Sequence, residues 1–209
     1  MTKLGILLSG RGSNFLAIAE NIRRGSLQAQ IALVISNCED AAGILAAQKL
    51  GLPTLILPSQ GRKRLEHDQQ VVAALRESGV EWVILAGYMR LLSPWFVQQY
   101  AGCILNIHPS LLPAFPGLDA QRQALEYGAQ VSGCTVHFVD EHLDHGAIIL
   151  QKSVPVLPSD DEHTLANRIL AQEHIAYSEA IALITSGKYR IEGRRVLPLA
   201  GNGTQQSPV

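Results

Sequence analysis

The chain has few charged residues and no long apolar run, and each shortage excludes a class of protein. Of its 209 residues, 17% are charged, and the formal net charge is -1. A nucleic-acid-binding protein usually carries a basic face, which this composition does not supply. No stretch approaches the ~20 apolar residues that cross a bilayer. We therefore expect a soluble, cytoplasmic protein with no nucleic-acid partner and no membrane association.

Cysteine is also scarce. Cys38, Cys103 and Cys134 lie far apart and show no CxxC spacing, a pattern that predicts reduced thiols in a cytosolic protein. Cys103 and Cys134 stand in apolar segments, where a thiol behaves as an inert core residue. The histidines and acidic residues match no HExxH or other ligand spacing, so we expect no metal site.

Hydrophobic residues make up 47% of the chain, enough for a sizeable core. Short apolar runs cover residues 4–8, 31–35, 54–57, 82–85 and 103–107, and helical patterns cover residues 14–24, 41–50 and 65–78. Because the apolar runs do not alternate with polar residues, they predict strands that are buried on both faces. This order predicts an α/β fold, an open and mostly parallel twisted sheet with helices on both faces and right-handed crossovers.

The pattern changes in the second half of the chain. Residues 106–118 hold three prolines and a glycine, which predicts a long shaped loop. Two further segments predict an adjacent strand pair joined by a polar turn, and the strands cover residues 133–139 and 148–156. A long helix should open with a capping-box pattern at residues 159–162 and close at Gly187, while Ser93-Pro94 opens another helix. We expect one domain over residues 1–200 and a disordered tail over residues 201–209.

A glycine-containing loop, residues 9–14, connects the first predicted strand to the first predicted helix. The free N–H groups and partial positive charge of a helix N-terminus bind anions, and Ser13 and Asn14 add donors. A dinucleotide fingerprint would need glycine in place of Phe15 and an acidic residue at positions 36–37, and a Walker loop would need Gly-Lys-Ser/Thr. The loop therefore suits a single phosphate, and the alternative is a plain strand-to-helix turn.

The fifth predicted strand runs to Ile107, so Asn106 stands near its end and His108 directly follows it. Two residues apart, their side chains point the same way, at the sheet edge where open α/β folds bind ligands. An amide donor and an imidazole on one side suit stabilisation of an oxyanion that forms when a carbonyl is attacked. Pro109 restrains the backbone that follows. The alternative is a polar strand end that only caps a loop.

Residues 133–146 run from a predicted strand into a turn rich in Asp and His. Such a turn can bring a carboxylate to an imidazole and fix its tautomer, and Asp144 is the candidate for this partner. His137, within the strand, is predicted to be a packing and hydrogen-bonding residue, whereas His142 and His145 are predicted to be exposed. No G-x-S-x-G elbow is present, which argues against a serine nucleophile.

Together, these segments resemble the phosphoribosylglycinamide formyltransferase family of purine synthesis. The matching segments are residues 8–14, 85–93, 106–113, 133–137 with 144–146, and 172–174. They occur in the family's order across nearly the whole chain, and the stretch Asn-Ile-His-Pro-Ser-Leu-Leu-Pro at 106–113 is the most specific. The resemblance implies formyl transfer from 10-formyltetrahydrofolate, a co-substrate rather than a tightly bound cofactor, to glycinamide ribonucleotide. Both partners are small molecules, and we expect a monomer or weak homodimer.

The resemblance also implies roles for individual residues. Asn106 and a protonated His108 would stabilise the oxyanion, with His108 as general acid and Asp144 keeping it charged. Residues implied in binding the substrate's phosphate and ribonucleotide are Gly12, Ser13, Asn14 and Glu173, the last at the amine end. Residues implied in binding the folate are Arg64, Met89, Arg90, Leu92, Asn106, Asp140 and Asp144, with Arg64 facing the glutamate carboxylate. Thr135 and His137 would support the site from behind.

Two positions depart from the family pattern, and three alternative functions remain open. Ser178 replaces an expected proline, and Leu170 replaces an expected polar substrate contact. Formyltetrahydrofolate hydrolase has a related domain preceded by a regulatory one, whereas here the first strand begins at Lys3. The formyltransferase of initiator methionyl-tRNA adds a C-terminal RNA-binding domain, which we do not expect in this short, non-basic chain. The third alternative is a non-catalytic folate-binding module, against which the intact Asn, His and Asp set argues.

Overall fold

A nine-stranded sheet runs through the molecule, and a computed structural model describes residues 1–199. The strands are β1 (Thr2–Leu8), β2 (Ala29–Ser36), β3 (Thr54–Ile56), β4 (Trp82–Leu85), β5 (Ile104–His108), β6 (Val131–Phe138), β7 (Ile148–Pro155), β8 (Tyr189–Glu192) and β9 (Arg195–Pro198). The helices are α1 (Ser13–Arg23), α2 (Ala42–Lys49), α3 (Arg64–Glu77), α4 (Pro94–Gln99), α5 (Ala120–Tyr127) and α6 (Glu162–Thr185). The predicted tail, residues 201–209, lies outside the described residues.

The strand order is β3-β2-β1-β4-β5-β6-β7-β9-β8. Strands β1 to β5 pair in parallel, whereas β6 runs antiparallel to both β5 and β7. The direction of winding reverses between β1 and β4, and in open α/β sheets such a switch point opens a crevice for ligands. The predicted fold class, with its mostly parallel sheet, C-terminal antiparallel strands and long helix, is confirmed.

Helices cover both faces of this sheet, and β1 shows why its buried part, residues 4–8, carries no polar side chain. Leu4, Ile6 and Leu8 enter the core beneath α1, α2 and α6, while Leu7 enters the opposite core beneath α3 and α4. Successive side chains of a strand point to opposite faces, so a strand that is covered twice needs apolar residues at every position. The carboxyl ends of β1, β4 and β5 stay open between the two helical layers.

Some elements differ from the sequence predictions. Helix α5 and the β8–β9 hairpin were not predicted, and β5 continues one residue further than expected, through His108. The capping box of α6 was placed at residues 159–162, which is two residues too early. It is formed by Asp161 and Thr164, whose side chains each accept a hydrogen bond from the other's backbone N–H. Within residues 1–199, no helix combines the length and apolar character needed to cross a membrane.

Tyr177 of α6 ties the long helix to the centre of the sheet. Its side chain is fully buried, and its hydroxyl lies 2.9 Å from the Leu85 carbonyl oxygen and 3.0 Å from that of Leu105. These carbonyls belong to the neighbouring strands β4 and β5, so the single hydroxyl proton is shared between them. Burial raises the pKa of the Tyr177 phenol well above its usual value, which keeps the hydroxyl a donor.

Replacing this tyrosine by phenylalanine tests the link between helix and sheet. Tyr177→Phe keeps the ring but leaves two buried carbonyl oxygens without their donor, so we expect a loss of about 1–2 kcal/mol in the free energy of unfolding. Urea denaturation measures this quantity. Tyr127→Phe removes a hydroxyl from an 82% exposed side chain and is the matched control. Equal destabilisation by the two variants would contradict the assigned role.

Candidate active site

The glycine-containing loop enters α1 through Gly12, which has the left-handed φ of 72° and stands at the helix N-cap. Among the described residues, no side chain caps this helix, so its first N–H groups face the cleft beside it. The cleft measures about 370 Å³ and is lined by residues 9–14 together with Ala86, Gly87 and Met89. A helix N-terminus open to a cleft of this size provides a site for a phosphate group.

Contacts from three directions hold this loop. The Gly43 N–H of α2 donates to the Gly10 carbonyl oxygen at 3.0 Å. The Ser9 hydroxyl donates to Asn37 Oδ1 at 2.5 Å and accepts from the Met89 N–H at 2.8 Å. The loop after β1 is therefore joined to the segments that follow β2 and β4. These bonds hold the loop in place beside the cleft.

Asn14 and Glu173 form a buried pair on the α6 side of the loop. Asn14 Nδ2 donates to Glu173 Oε2 at 2.7 Å, which joins the first turn of α1 to the middle of α6. Burial raises the pKa of the Glu173 carboxyl above its usual 4.5, and the hydrogen bond from Asn14 lowers it less. The group therefore titrates above the range of an ordinary glutamate, and a change in its charge reaches the phosphate loop through Asn14.

The raised pKa of Glu173 makes stability depend on pH in a definite direction. Between pH 4.5 and the folded pKa, the native chain holds a proton that the unfolded chain has lost, so the native state loses stability as pH rises through this window. Glu173→Gln cannot ionise. We expect its free energy of unfolding, relative to the unsubstituted chain, to increase across this window and then level off, as followed by urea denaturation.

Glu126→Gln, at an exposed position of α5, is the control for this experiment and should leave the pH profile unchanged. A difference for Glu173→Gln that stays constant from pH 4 to pH 8 would show that burial does not shift the titration of Glu173.

The register of β5 and β6 places Asn106 opposite His137. His137 Nδ1 donates to the Phe138 carbonyl oxygen at 2.7 Å, and burial lowers the pKa of the ring, so Nε2 carries a lone pair. Asn106 Nδ2 donates to this Nε2 at 3.2 Å. Since Nε2 can only accept, the Asn106 amide must direct its NH₂ group to this side. One hydrogen is used by His137, and the second remains for a ligand.

His108 lies two residues further along the same strand and is 5% exposed. Its Nε2 donates to the Phe115 carbonyl oxygen at 2.8 Å, and its Nδ1 lies 3.4 Å from Asp144 Oδ2. Each ring nitrogen of His108 therefore faces an oxygen that can accept a hydrogen bond. The structure thus brings together Asn106, His108 and Asp144, as the sequence predicted they would meet.

The Asp144 carboxylate is positioned by its backbone conformation and by neighbouring groups. Its φ of 49° is in the left-handed region, which Asp and Asn tolerate better than other non-glycine residues. The Gly117 N–H donates to Asp144 Oδ2 at 2.8 Å, and His137 Nε2 lies 3.9 Å from Oδ1. The carboxylate is 7% exposed, so its negative charge is turned toward the two histidines rather than toward water.

The loop that follows β5 is supported by Thr135 of β6. Its hydroxyl donates to the Ser110 carbonyl oxygen at 2.7 Å and accepts from the Leu112 N–H at 3.0 Å. Gln151 Nε2 of β7 donates to the Leu112 carbonyl oxygen at 2.9 Å. These bonds position the loop that carries Phe115, whose carbonyl meets His108. Thr135 therefore lies behind the site and does not line it.

The residues expected to bind a folate do not all lie in one place in the structure. Met89 is 69% exposed and lines the same cleft as the glycine loop, while Leu92 packs against the core beneath α3 and α4. The guanidinium of Arg90 lies 3.5 Å from the Ser59 carbonyl oxygen. Arg64, the first residue of α3, is exposed. Asp140 is at the rim, where its Oδ2 accepts from His145 Nδ1 at 2.8 Å.

Several groups that shape the site were missed from the sequence. The carbonyl of Phe115 and the N–H of Gly117 are backbone groups, and no side-chain pattern reveals them. Ser9 and Asn37 are different, because each directly follows a buried strand and could have been predicted at the sheet edge by the same rule that found Asn106 and His108. Ser178, which stands where the family pattern has a proline, accepts a hydrogen bond of 2.8 Å from Asn21 Nδ2.

The fold and the site define a class of protein. Residues 2–181 match the family model described as formyl transferase. The chain belongs to this family.

Two curated relatives show which members of this family the chain is similar to. The chain is 40% identical over 193 residues to the phosphoribosylglycinamide formyltransferase of Haemophilus influenzae, which covers 92% of this chain and 91% of that protein. It is 47% identical over 191 residues to the trifunctional purine biosynthetic protein adenosine-3 of Drosophila pseudoobscura, and 90% of this chain is covered. The match accounts for 14% of that longer relative, so the chain spans only a small part of its length.

Solved structures agree with the family. The glycinamide ribonucleotide transformylase 1 of Symbiobacterium toebii is 48% identical, with a TM-score of 0.93, covering 96% of this chain and 95% of that one. A formyltetrahydrofolate deformylase from Pseudomonas syringae has a TM-score of 0.88 at 23% identity, covering 66% of that chain. At this identity the second likeness shows a shared fold alone.

Proposed function

We propose that the chain transfers the formyl group of 10-formyltetrahydrofolate to the primary amine of glycinamide ribonucleotide, a step of purine synthesis. The observation that carries the proposal is the buried contact of His108 with Asp144, two strand positions from the Asn106 amide. A module that only bound folate would have no need of an oxyanion-stabilising amide, an imidazole and a carboxylate in contact. The names of the full-length bacterial relatives support the same reaction.

The acceptor, glycinamide ribonucleotide, is held by its phosphate group. Gly12, Ser13 and Asn14 bind the phosphate at the N-terminus of α1, where free N–H groups and the helix dipole meet an anion. Glu173, hydrogen-bonded to Asn14, receives the amine end of the ribonucleotide. A neutral amine is the nucleophile, and a carboxyl group that stays protonated above the usual range does not hold the amine as an ammonium ion.

The chemistry needs no metal and no covalent intermediate with the protein. The amine nitrogen attacks the formyl carbon, and the carbonyl oxygen becomes an alkoxide in a tetrahedral intermediate. The bond between the formyl carbon and the folate nitrogen then breaks, with its electron pair going to that nitrogen. The proton lost by the attacking amine goes to the leaving nitrogen, so atoms and charge balance.

Asn106 and His108 stabilise the alkoxide. The second hydrogen of the Asn106 amide is available to it, since His137 uses only the first. His108 offers its Nε2 proton to the oxyanion in place of the Phe115 carbonyl, and Asp144 keeps the ring charged from the Nδ1 side. Losing one such donor costs roughly 3 kcal/mol of transition-state stabilisation.

The folate lies across the rim of the cleft. The residues assigned to it are Arg64, Met89, Arg90, Leu92, Asn106, Asp140 and Asp144, with Arg64 at the glutamate carboxylate. The folate enters and leaves as a co-substrate.

Residues 1–200 form one domain that works in the cytoplasm as a monomer or weak homodimer without a nucleic-acid partner. The three free thiols support the cytoplasmic location, and the net charge of -1 supports the lack of a nucleic-acid partner.

The first experiment measures release of tetrahydrofolate from 10-formyltetrahydrofolate, with and without glycinamide ribonucleotide. We expect turnover only when the amine is present. Turnover in its absence would favour the hydrolase, with water as the acceptor. Folate binding without turnover for either acceptor would contradict both and favour a binding module.

The role of Asp144 is tested by Asp144→Asn, which keeps the side-chain shape and tolerates the left-handed backbone. We expect kcat to fall by roughly 10²–10⁴-fold, because His108 loses the charge that holds its second proton, while KM for the folate changes little. Asp119→Asn is the matched control, since Asp119 also has a left-handed φ of 57° but is exposed and faces Arg122. A variant that loses folate binding and keeps kcat would overturn the assignment.

A further inference from the structure

The turn between β6 and β7 gathers three side chains that the proposed reaction leaves unused or uses only at its edge. These are Asp140, His142 and His145, whose potential ligand atoms lie within 4.8 Å of one another. Asp140 Oδ2 is 2.8 Å from His145 Nδ1, and Asp140 Oδ1 is 3.8 Å from His142 Nδ1. Within residues 1–199, no other three His, Cys, Asp or Glu side chains offer ligand atoms so close together.

We propose that Asp140, His142 and His145 form a binding site for a divalent transition-metal ion at the rim of the active-site cleft. A tetrahedral zinc ion about 2.0–2.1 Å from each donor holds the donors about 3.3 Å apart. The two measured separations lie on either side of this value. Adjustments of about an ångström in exposed side chains would bring all three ligands into place.

The chemistry of the donors selects the ion. Two imidazoles and one carboxylate suit Zn²⁺, Co²⁺, Ni²⁺ or Cu²⁺, whereas Mg²⁺ and Ca²⁺ prefer ligands that are all oxygen. The fourth position would be open to water, as in zinc sites with three protein ligands. Glu141, next to Asp140 in the chain, accepts from Gln98 Nε2, and Arg194 donates to the His145 carbonyl oxygen.

Metal motifs in sequences did not reveal this site, because they describe ligands on helices or in paired knuckles. Here the ligands are brought together by a six-residue turn. The His142 N–H donates to Asp140 Oδ1 at 2.8 Å, which closes the turn and brings the rings of His142 and His145 to a centroid distance of 5.2 Å. Asp144 lies between these ligands in the chain, but its carboxylate faces His108. A bound ion would therefore hold the turn together without being coordinated by Asp144.

Cysteine is a competing zinc ligand, and its surroundings argue against it here. Burial raises the pKa of the Cys134 thiol to about 12 and raises the pKa of the Cys103 thiol as well, so neither forms the thiolate that zinc prefers. Zinc bound by the chain is therefore expected at the histidines.

The test is titration of the chelator-treated chain with Zn²⁺ by calorimetry, alongside Co²⁺ titration followed by visible absorption. We expect one equivalent to bind and the cobalt spectrum to show nitrogen and oxygen coordination without a thiolate band. His142→Gln should weaken zinc binding by more than about 100-fold, since losing a ligand exceeds the ~10–100-fold cost of losing an outer partner.

Two further variants make the result decisive. His145→Gln should weaken zinc binding as much as His142→Gln does, while His163→Gln, at an exposed position on α6, should leave it unchanged. Metal binding that survives both turn variants, or that His163→Gln weakens equally, would overturn the proposal, as would no binding by the unsubstituted chain. Because the readout is binding and not turnover, the outcome is independent of the proposed formyl transfer.

Discussion

The antiparallel pairing of β6 with β5 is the constraint on which the rest of the site depends. A parallel sheet alone would bring Asn106 and His108 to its edge but would leave nothing opposite them. Because β6 returns beside β5 in this register, His137 faces Asn106 and Thr135 faces His108. The first pair orients the amide, and the second supports the loop that meets the imidazole. The same return carries the chain into the turn that delivers Asp144.

The sequence predicted much of the fold because its strands are covered on both sides. Residues 4–8 of β1 and all of β4 lack the alternation of polar and apolar side chains, a pattern that burial on two faces explains. The edge of the sheet was harder. The β8–β9 hairpin consists of half-exposed residues such as Tyr189 and Arg195, whose pattern carries little signal. Helix α5 covers only the eight residues Ala120–Tyr127, a short window for a helical pattern, although Asp119 stands at its N-cap.

The candidate site was predicted unevenly, for a physical reason. Asn106 and His108 were predicted from strand geometry, which a sequence records directly. The partnership of Asp144 with His108 could be named only as a candidate, because it depends on a left-handed residue and on an N–H from Gly117. The folate-binding residues were predicted only from the family resemblance. The structure places them apart from one another, with Met89 at the cleft and Leu92 packed against the core. Backbone groups that complete the site have no signature in the side chains.

The close approach of two glycines limits how this chain can vary. A Cβ added at Gly12 would meet the Gly43 Cα at 3.0 Å, and one added at Gly43 would meet Leu8 Cδ2 at 2.8 Å and the Gly10 carbonyl oxygen at 3.1 Å. A side chain at either position would therefore push α2 away from the loop. The backbones of the loop and of α2 approach this closely because both positions lack a side chain.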